Sequence, residues 1–193
     1  MVGAMAKTNN RTDTDDLVLR ARSDADALGQ LYELYYERIF RFCVYRLFSK
    51  EAAEDVTSMV FLAVAGKIRN FPGRTEEDFR NWLYTIAAKQ ANAYLRKTSR
   101  RSRLLAKAAN SMTAATANCT NHSAELDWPT LYRAIMKLPP KHQTIVTLRF
   151  FENLSFEEIA KIMNAKPKTV YVMLHRLLKK LRNYLQTDVD GEK

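Results

Sequence analysis

The stretch LSFEEIAKIMNAKPKTV, residues 154–170, decides the fold of the C-terminal part of this chain. Ser155 can cap a helix, and Glu158, three residues later, can reach back to complete a capping box. Asn164 tolerates the left-handed backbone of a tight turn, and Pro167 suits the first turn of a following helix. The stretch therefore predicts a short helix, a turn and a second helix, the layout of a helix-turn-helix DNA reader.

The second helix of this motif is predicted to run from about Pro167 to Leu185. Its apolar residues recur at steps of three and four and predict one buried stripe: Val170, Leu174, Leu177, Leu181 and Leu185. The outward positions are largely cationic, which fits a major groove flanked by phosphates. An ordinary helical hairpin with a solvated lysine face remains the alternative. The candidate DNA contacts are Lys166, Lys168, Thr169, Tyr171, Val172, His175, Arg176 and Lys179.

Positive charge is concentrated in two blocks of the 193-residue chain, whose formal net charge is +10. Residues 79–124 hold eight Lys or Arg and no acidic residue, and residues 130–187 hold eleven against three. Residues 1–78 are close to balanced, with eleven basic and thirteen acidic residues. Two separate cationic segments predict two nucleic-acid contacts rather than a generally basic surface.

Composition excludes several classes of protein. Five Gly, five Pro and few alternating patterns indicate an all-α fold. We expect no membrane insertion, since there is neither a bilayer-length apolar run nor an apolar signal core. Cys43 and Cys119 form neither a disulfide framework nor a zinc site, so we expect a reduced, cytosolic protein. Cys43 lies among Phe42, Val44 and Leu47, which predicts a buried free thiol. No cofactor or metal site is predicted, and the scattered His122, His142 and His175 argue against a nucleic-acid enzyme.

The pattern along the chain predicts two small helical domains joined by a flexible linker. We expect a disordered N-terminus over residues 1–14, with Met1 or Met5 as the start. A first domain over residues 15–105 should hold helices near Ala25–Phe48, Lys50–Asn70 and Glu76–Arg103. The Ala/Thr/Asn/Ser-rich residues 106–125 read as the linker. The helix-turn-helix domain covers residues 126–187, and an acidic tail covers residues 188–193.

The second and third predicted helices carry further signals. Residues 55–65 are apolar around most of the helix, so this helix either is core throughout or docks a protein through Phe61 or Leu62 beside Glu54 and Asp55. In the third helix, Phe79, Trp82, Leu83 and Ile86 have core spacing. Farther along this helix, cations share one face. Tyr84 and Tyr94 of the same helix are open candidates for stacking on unpaired bases. The candidate nucleic-acid contacts there are Lys89, Tyr94, Arg96, Lys97, Arg100, Arg101 and Arg103.

These motifs in this order resemble bacterial sigma factors of the extracytoplasmic-function class. The run Phe79-Arg80-Asn81-Trp82-Leu83 with Tyr94-Leu95-Arg96 resembles their first conserved domain, and Leu138-Pro139-Pro140 with Ser155 to Ala160 resembles their promoter-reading domain. The likeness covers roughly residues 15–185. Three stretches depart from the common pattern, namely Thr57-Ser58-Met59, the Lys89 and Ala93 positions, and Tyr171-Val172-Met173. The last departure predicts apolar contact with thymine methyls, so we expect this helix to read an unusual DNA sequence.

The resemblance implies a transcription initiation factor that is not itself an enzyme. It implies that the second helix binds the clamp helices of core RNA polymerase through Glu54, Asp55, Ser58, Met59, Phe61 and Leu62. The third helix and residues 71–78 would melt and hold the minus-ten element of promoter DNA, and the helix from Pro167 would read the minus-thirty-five element. It also implies an anti-sigma factor, which could hold this cytoplasmic protein at the membrane. A stand-alone helix-turn-helix regulator is the alternative, although no dimerisation segment is apparent.

Overall fold

The computed structural model describes residues 13–109 and 128–190, with side chains over residues 13–101 and 130–185. These residues form helices and connecting turns without a strand, so the all-α prediction is confirmed. Residues 13–20 lie in helix α1. The elements that follow are α2 (Ala25–Leu47), α3 (Lys50–Ala65), a 3-10 turn (Ile68–Asn70), α4 (Glu76–Ala109), α5 (Trp128–Met136), α6 (Pro140–Val146), a π-helical turn (Thr147–Phe151), α7 (Phe156–Met163) and α8 (Pro167–Asp190).

Helices α1 to α4 form an N-terminal lobe around one apolar core. Asp24 caps α2 by accepting a hydrogen bond from the backbone N–H of Asp26, and Ser49 caps α3 through Ala52. Both caps satisfy backbone donors that the first helical turn leaves without partners. Leu31, Tyr35, Ile39 and Phe42 form a buried stripe on α2, which packs against α3 and α4, and Leu28 beside them is half-buried.

Several helix ends differ from the sequence-based boundaries. α3 ends at Ala65 rather than continuing to Asn70, because the weak helix former Gly66 follows and the chain tightens into the 3-10 turn. α4 continues past Arg103 to Ala109 through leucine and alanine, which favour helices. Residues 13 and 14 are helical although they fall in the predicted disordered N-terminus. α8 runs to Asp190, beyond Leu185 and into the predicted acidic tail.

The C-terminal lobe, α5 to α8, contains the predicted helix-turn-helix. The hydroxyl of Ser155 accepts from Glu158 N at 3.2 Å, and the Glu158 carboxylate accepts from Ser155 N at 2.7 Å, which completes the capping box. Asn164 ends α7 in the left-handed conformation, with φ at 49°. The predicted stripe of α8 is buried from Val170 to Leu181, and Leu185 is half-buried. The local predictions for this motif are therefore confirmed.

The buried apolar residues of the two lobes belong to one continuous core, and polar pairs and stacked rings add to their contact. Tyr84 Oη donates to Glu152 Oε2 at 2.5 Å, and the Arg41 guanidinium lies 3.6 Å from the same oxygen. Farther along α4 and α7, Lys161 Nζ donates to Glu77 Oε1 at 2.7 Å. Further pairs across the contact include Arg80 with Glu158, the Tyr45 and Phe151 rings at 4.1 Å, and the Phe48 and Tyr132 rings at 3.6 Å.

Arg46 is buried where α2 meets the C-terminal lobe, with 1% of its surface exposed. Its Nη1 donates to Gln143 Oε1 at 2.7 Å and its Nη2 to Asn92 Oδ1 at 2.6 Å, so both partners are neutral amides. Burial lowers the pKa of Arg46 to about 10, which still leaves the guanidinium charged at neutral pH. A buried cation with amide partners loses much of its hydration, so this contact is specific in geometry rather than strongly stabilising.

Candidate nucleic-acid and protein interfaces

The outer face of α3 presents an apolar surface to solvent. Leu62 is 75% exposed, and Met59 is also exposed, whereas Phe61 is 9% exposed. These values exclude the alternative in which α3 is core throughout. The polar candidates Glu54, Asp55 and Ser58 are exposed on the same helix. An apolar patch bordered by carboxylates is typical of a protein docking site.

Aromatic residues of α2, which were not among the predicted site residues, extend this surface. The rings of Tyr32 and Tyr36 lie 4.7 Å and 6.3 Å from that of Phe61, and Phe40 stacks on Tyr36 at 6.1 Å. Tyr32 is exposed, and Tyr36 and Phe40 are half-buried. Their spacing of four residues was the available signal, because it places them in one row beside the buried stripe of α2.

The second half of α4 forms an exposed cationic face. Lys89, Arg96, Lys97, Arg100 and Arg101 are exposed, and Tyr94 is half-buried between them and the core. The side chain of Arg103 lies outside the described part of the chain. Because no acidic residue occurs from position 79 to position 124, these cations have no carboxylate neighbour on their own helix. Such a face can contact a phosphate backbone.

The aromatic candidates at the start of α4 have structural contacts. Trp82 is half-buried and stacks on Phe71 with ring centroids 4.6 Å apart, in agreement with its predicted core spacing. Tyr84 is buried and donates its hydroxyl proton to Glu152. Burial, followed by the charge of Glu152, raises the pKa of Tyr84. Tyr84 therefore does not offer a free ring to a base while the lobes are in contact.

The loop before α4 is held in one shape by side-chain contacts. Asp78 Oδ2 accepts from Arg74 N at 3.1 Å and from Thr75 N at 3.3 Å, and these bonds lower the pKa of Asp78. A Cβ at Gly73 would lie 2.3 Å from the Phe71 ring, so only glycine fits there. Arg22 also donates to the Gly73 carbonyl. The loop thus presents fixed backbone beside the cationic helix.

The outer face of α8 is the third candidate surface. Every predicted contact residue from Lys166 to Lys179 is exposed, and the charged ones lie on the side opposite the buried leucines. Tyr171 is 58% exposed, and its ring meets the edge of Phe156 at 5.5 Å. Exposed cations around an apolar side chain on a helix of this motif suit a DNA major groove.

Other predicted features can be located within the described residues. Cys43 is buried, as predicted, and burial raises the pKa of its thiol to about 11. His142 is half-buried with a lowered pKa, and His175 is exposed on α8. Cys119 and His122 lie outside the described residues. In the part of the chain that the structure describes, no cluster of three metal-binding side chains occurs, and no helix is long and apolar enough to cross a membrane.

Comparison with known proteins agrees with this arrangement. Residues 31–101 match the family described as Sigma-70 region 2, and residues 130–181 match Sigma-70, region 4. The chain is 33% identical over 180 residues to the ECF RNA polymerase sigma factor BldN of Streptomyces coelicolor, covering 90% of this chain and 66% of BldN. It is 31% identical to the ECF RNA polymerase sigma factor SigE of Mycolicibacterium smegmatis, covering 89% of this chain and 68% of SigE.

Solved structures share the fold. CnrH, solved in complex with the cytosolic domain of CnrY, matches with a TM-score of 0.64 at 19% identity, over 90% of this chain and 97% of CnrH. The sigma factor RpoE of Bartonella quintana, solved with the anti-sigma factor NepR, matches with a TM-score of 0.58 at 19% identity, over 83% of this chain and 97% of RpoE. The two matched regions, together with the similarity to BldN and SigE, show that the chain belongs to the extracytoplasmic-function sigma factors of the sigma-70 family.

Proposed function

We propose that this chain binds core RNA polymerase and directs it to a specific set of promoters for transcription initiation. One observation carries the proposal: a single chain combines an exposed apolar surface on α3, an acid-free cationic face on α4 and a helix-turn-helix with an exposed cationic face on α8. The family supports the assignment, since sigma factors are initiation factors and leave RNA synthesis to the polymerase.

Polymerase docking is assigned to the outer face of α3. Leu62 and Met59 supply apolar area, Phe61 supports them from beneath, and Glu54, Asp55 and Ser58 supply polar contacts at the edge. The partner is the clamp-helix region of the largest polymerase subunit. The aromatic row of Tyr32, Tyr36 and Phe40 continues this docking surface onto α2.

Promoter DNA is assigned to two faces. The cations of α4 and the fixed loop before it hold the non-template strand of the minus-ten element, where backbone phosphates and unpaired bases are available. The N-terminal part of α8 enters the major groove of the minus-thirty-five element, because the second helix of this motif contacts base edges there.

Simultaneous reading of both elements requires the lobes to separate. The minus-ten and minus-thirty-five elements lie about 25 base pairs apart, as their names state. This distance is roughly 85 Å at about 3.4 Å per base pair. A compact chain of this length has a radius of gyration of roughly 16 Å, so its diameter is about half of that distance. The contact between α4 and α7 must therefore open when the protein occupies a promoter with polymerase.

Regulation by an anti-sigma factor and action in the cytoplasm are also part of the proposal. Support comes from RpoE of Bartonella quintana, whose structure was solved with the anti-sigma factor NepR. The surfaces that such a factor would cover are the apolar face of α3 and the cationic faces of α4 and α8. Tethering to the membrane through that factor follows only if the factor itself is a membrane protein.

Run-off transcription with core polymerase and genomic fragments tests the proposal. We expect promoter-specific transcripts that depend on this protein, and poor binding of promoter duplex by the protein without polymerase. Reversing charge at Arg96 and Arg100 should impair promoter opening more than upstream binding, whereas Lys168→Ala and Arg176→Ala should do the opposite. Tight, specific duplex binding without polymerase would favour a stand-alone regulator instead. Absence of any promoter-specific transcript would contradict the sigma-factor function.

A further inference from the structure

The recognition helix α8 carries an exposed apolar pair among its cationic residues. Tyr171 and Val172 are both exposed and lie within its first two turns. Lys168 precedes Tyr171 by three residues and His175 follows it by four, so all three share a face. The rest of this face is polar or charged, so an exposed aromatic ring here indicates a contact with another molecule rather than with solvent alone.

The Tyr171 ring is positioned from below by a second ring. Phe156, the first residue of α7, meets it edge-on, with centroids 5.5 Å apart and planes at 70°. The Arg149 guanidinium lies 5.0 Å from the centroid of the Phe156 ring, and Arg149 Nη1 donates to the Leu154 carbonyl at 2.9 Å. Because this stack orients Tyr171 before DNA arrives, less side-chain entropy is lost on binding.

Base-edge chemistry identifies what such a side chain can read. Thymine is the base that presents a methyl group in the major groove, and apolar side chains recognise it by contact. We propose that Tyr171, oriented by Phe156 and Arg149, reads the C5-methyl of a thymine in the upstream promoter element, with Phe156 as a positioning residue. The inference rests on the proposed function, because α8 must enter the major groove there.

Replacing thymine by uracil tests this contact, since uracil lacks only the methyl group. Holoenzyme made from the full chain and core polymerase first selects duplexes from a library randomised over the upstream element. The selected duplex is then remade with uracil at one thymine position at a time. Wild-type holoenzyme should lose about fourfold in affinity at one position, the loss expected for one methyl-sized contact.

Variants test whether the discrimination between thymine and uracil comes from Tyr171 and its contact with Phe156. Tyr171→Ala should bind the thymine and uracil duplexes equally, and Tyr171→Phe should still discriminate because it keeps the ring. Phe156→Ala should lose most of the discrimination although Tyr171 is present, and Phe156→Tyr should restore it. Phe150→Ala removes another exposed aromatic of the same lobe and should change nothing.

Three results would overturn the inference: equal wild-type binding of thymine and uracil duplexes at every position, undiminished discrimination by Tyr171→Ala, or undiminished discrimination by Phe156→Ala. If the library yields no enriched sequence at all, the proposed function fails and the inference fails with it. Enrichment of a sequence that shows no methyl dependence leaves the proposed function standing and rejects only the role of Tyr171.

Discussion

Replacing Glu152 by alanine should open the contact between the lobes. The Glu152 side chain is 3% exposed, accepts the Tyr84 hydroxyl proton at 2.5 Å and lies 3.6 Å from the Arg41 guanidinium. Tyr84 is itself buried, so the variant leaves its hydroxyl without an acceptor while the lobes are closed. In the open arrangement water can hydrate that hydroxyl. The substitution therefore acts on the closed state.

The size of the effect follows from three contributions, of which two favour the closed state and one opposes it. A hydrogen bond to a charged group stabilises by about 1.5–3 kcal/mol. The pair with Arg41 adds about 0–1 kcal/mol, because the arginine is partly exposed and its charge is screened. Glu152 Oε1 is buried without a partner, so its removal recovers part of a desolvation cost. We expect a net loss of about 1–2 kcal/mol, a change of about 5- to 30-fold in the open-to-closed ratio.

Energy transfer between the lobes measures this ratio. Labels at Gln30→Cys and Lys180→Cys report on the N-terminal and C-terminal lobes, since both positions are exposed. Cys119 is replaced by serine, whereas Cys43 can stay, because it is buried and its raised pKa, about 11, leaves little reactive thiolate. Glu152→Ala should shift the distribution towards longer distances.

Two control variants test whether the effect comes from the hydrogen bond between Tyr84 and Glu152. Glu152→Gln keeps an oxygen that can accept from Tyr84, so it should shift the distribution less than alanine does. Glu157→Ala removes an exposed carboxylate from α7 and should leave the distribution unchanged. If Glu152→Ala and Glu157→Ala give the same distances, the bond from Tyr84 does not hold the lobes together and the reasoning is wrong.

Three further changes test other parts of the structure. Leu62→Glu should weaken core polymerase binding at least about tenfold, because the free energy gained by burying one leucine side chain is lost. It should not lower the melting temperature. The matched control is Leu34→Glu, which changes an exposed leucine of α2. Ser155→Ala should lower the free energy of unfolding by about 1 kcal/mol in urea titrations through loss of the helix cap, and Ser155→Asp should restore most of it. The hydrogen bond from Lys161 holds the pKa of Glu77 below its ordinary value of 4.5. Glu77 therefore stabilises the lobe contact at pH values above 4.5, and this stabilisation is lost as the pH falls through the lowered pKa. Lobe distances in wild type should therefore increase in that acid window, and a Glu77→Gln variant with the same increase would refute the assignment.

Sequence alone predicted the features whose causes are local. The capping box at Ser155, the left-handed Asn164 and the leucine stripe of α8 each depend on residues within a few positions of one another, and each is present. The buried thiol of Cys43 followed in the same way from its apolar neighbours. Helix ends were predicted less well, because continuation past Arg103 or termination at Gly66 depends on small differences in helix propensity.

Contacts between distant parts of the chain could not be predicted. Tyr84 was an open candidate for base stacking, and its bond to Glu152 joins residues 68 positions apart. Nothing within one helix indicates such a pair. The π-helical turn at Thr147–Phe151, which packs against α2, was not predicted either. That turn places Phe151 on Tyr45 and Glu152 beside Tyr84.

The sparse acidic residues of the C-terminal lobe explain why two cationic segments can pack together in one chain. Residues 130–187 contain eleven basic residues and three acidic ones, and two of the three, Glu152 and Glu158, bind Tyr84 and Arg80 of the N-terminal lobe. Glu158 also caps α7, so the start of the helix-turn-helix and the lobe contact depend on one carboxylate. Around these few bonds the exposed cations of α4 and α8 repel each other through solvent. The carboxylates of Glu152 and Glu158 offset this repulsion across the lobe contact. The closed arrangement therefore depends on carboxylates that act against the repulsion between two cationic segments of the same chain.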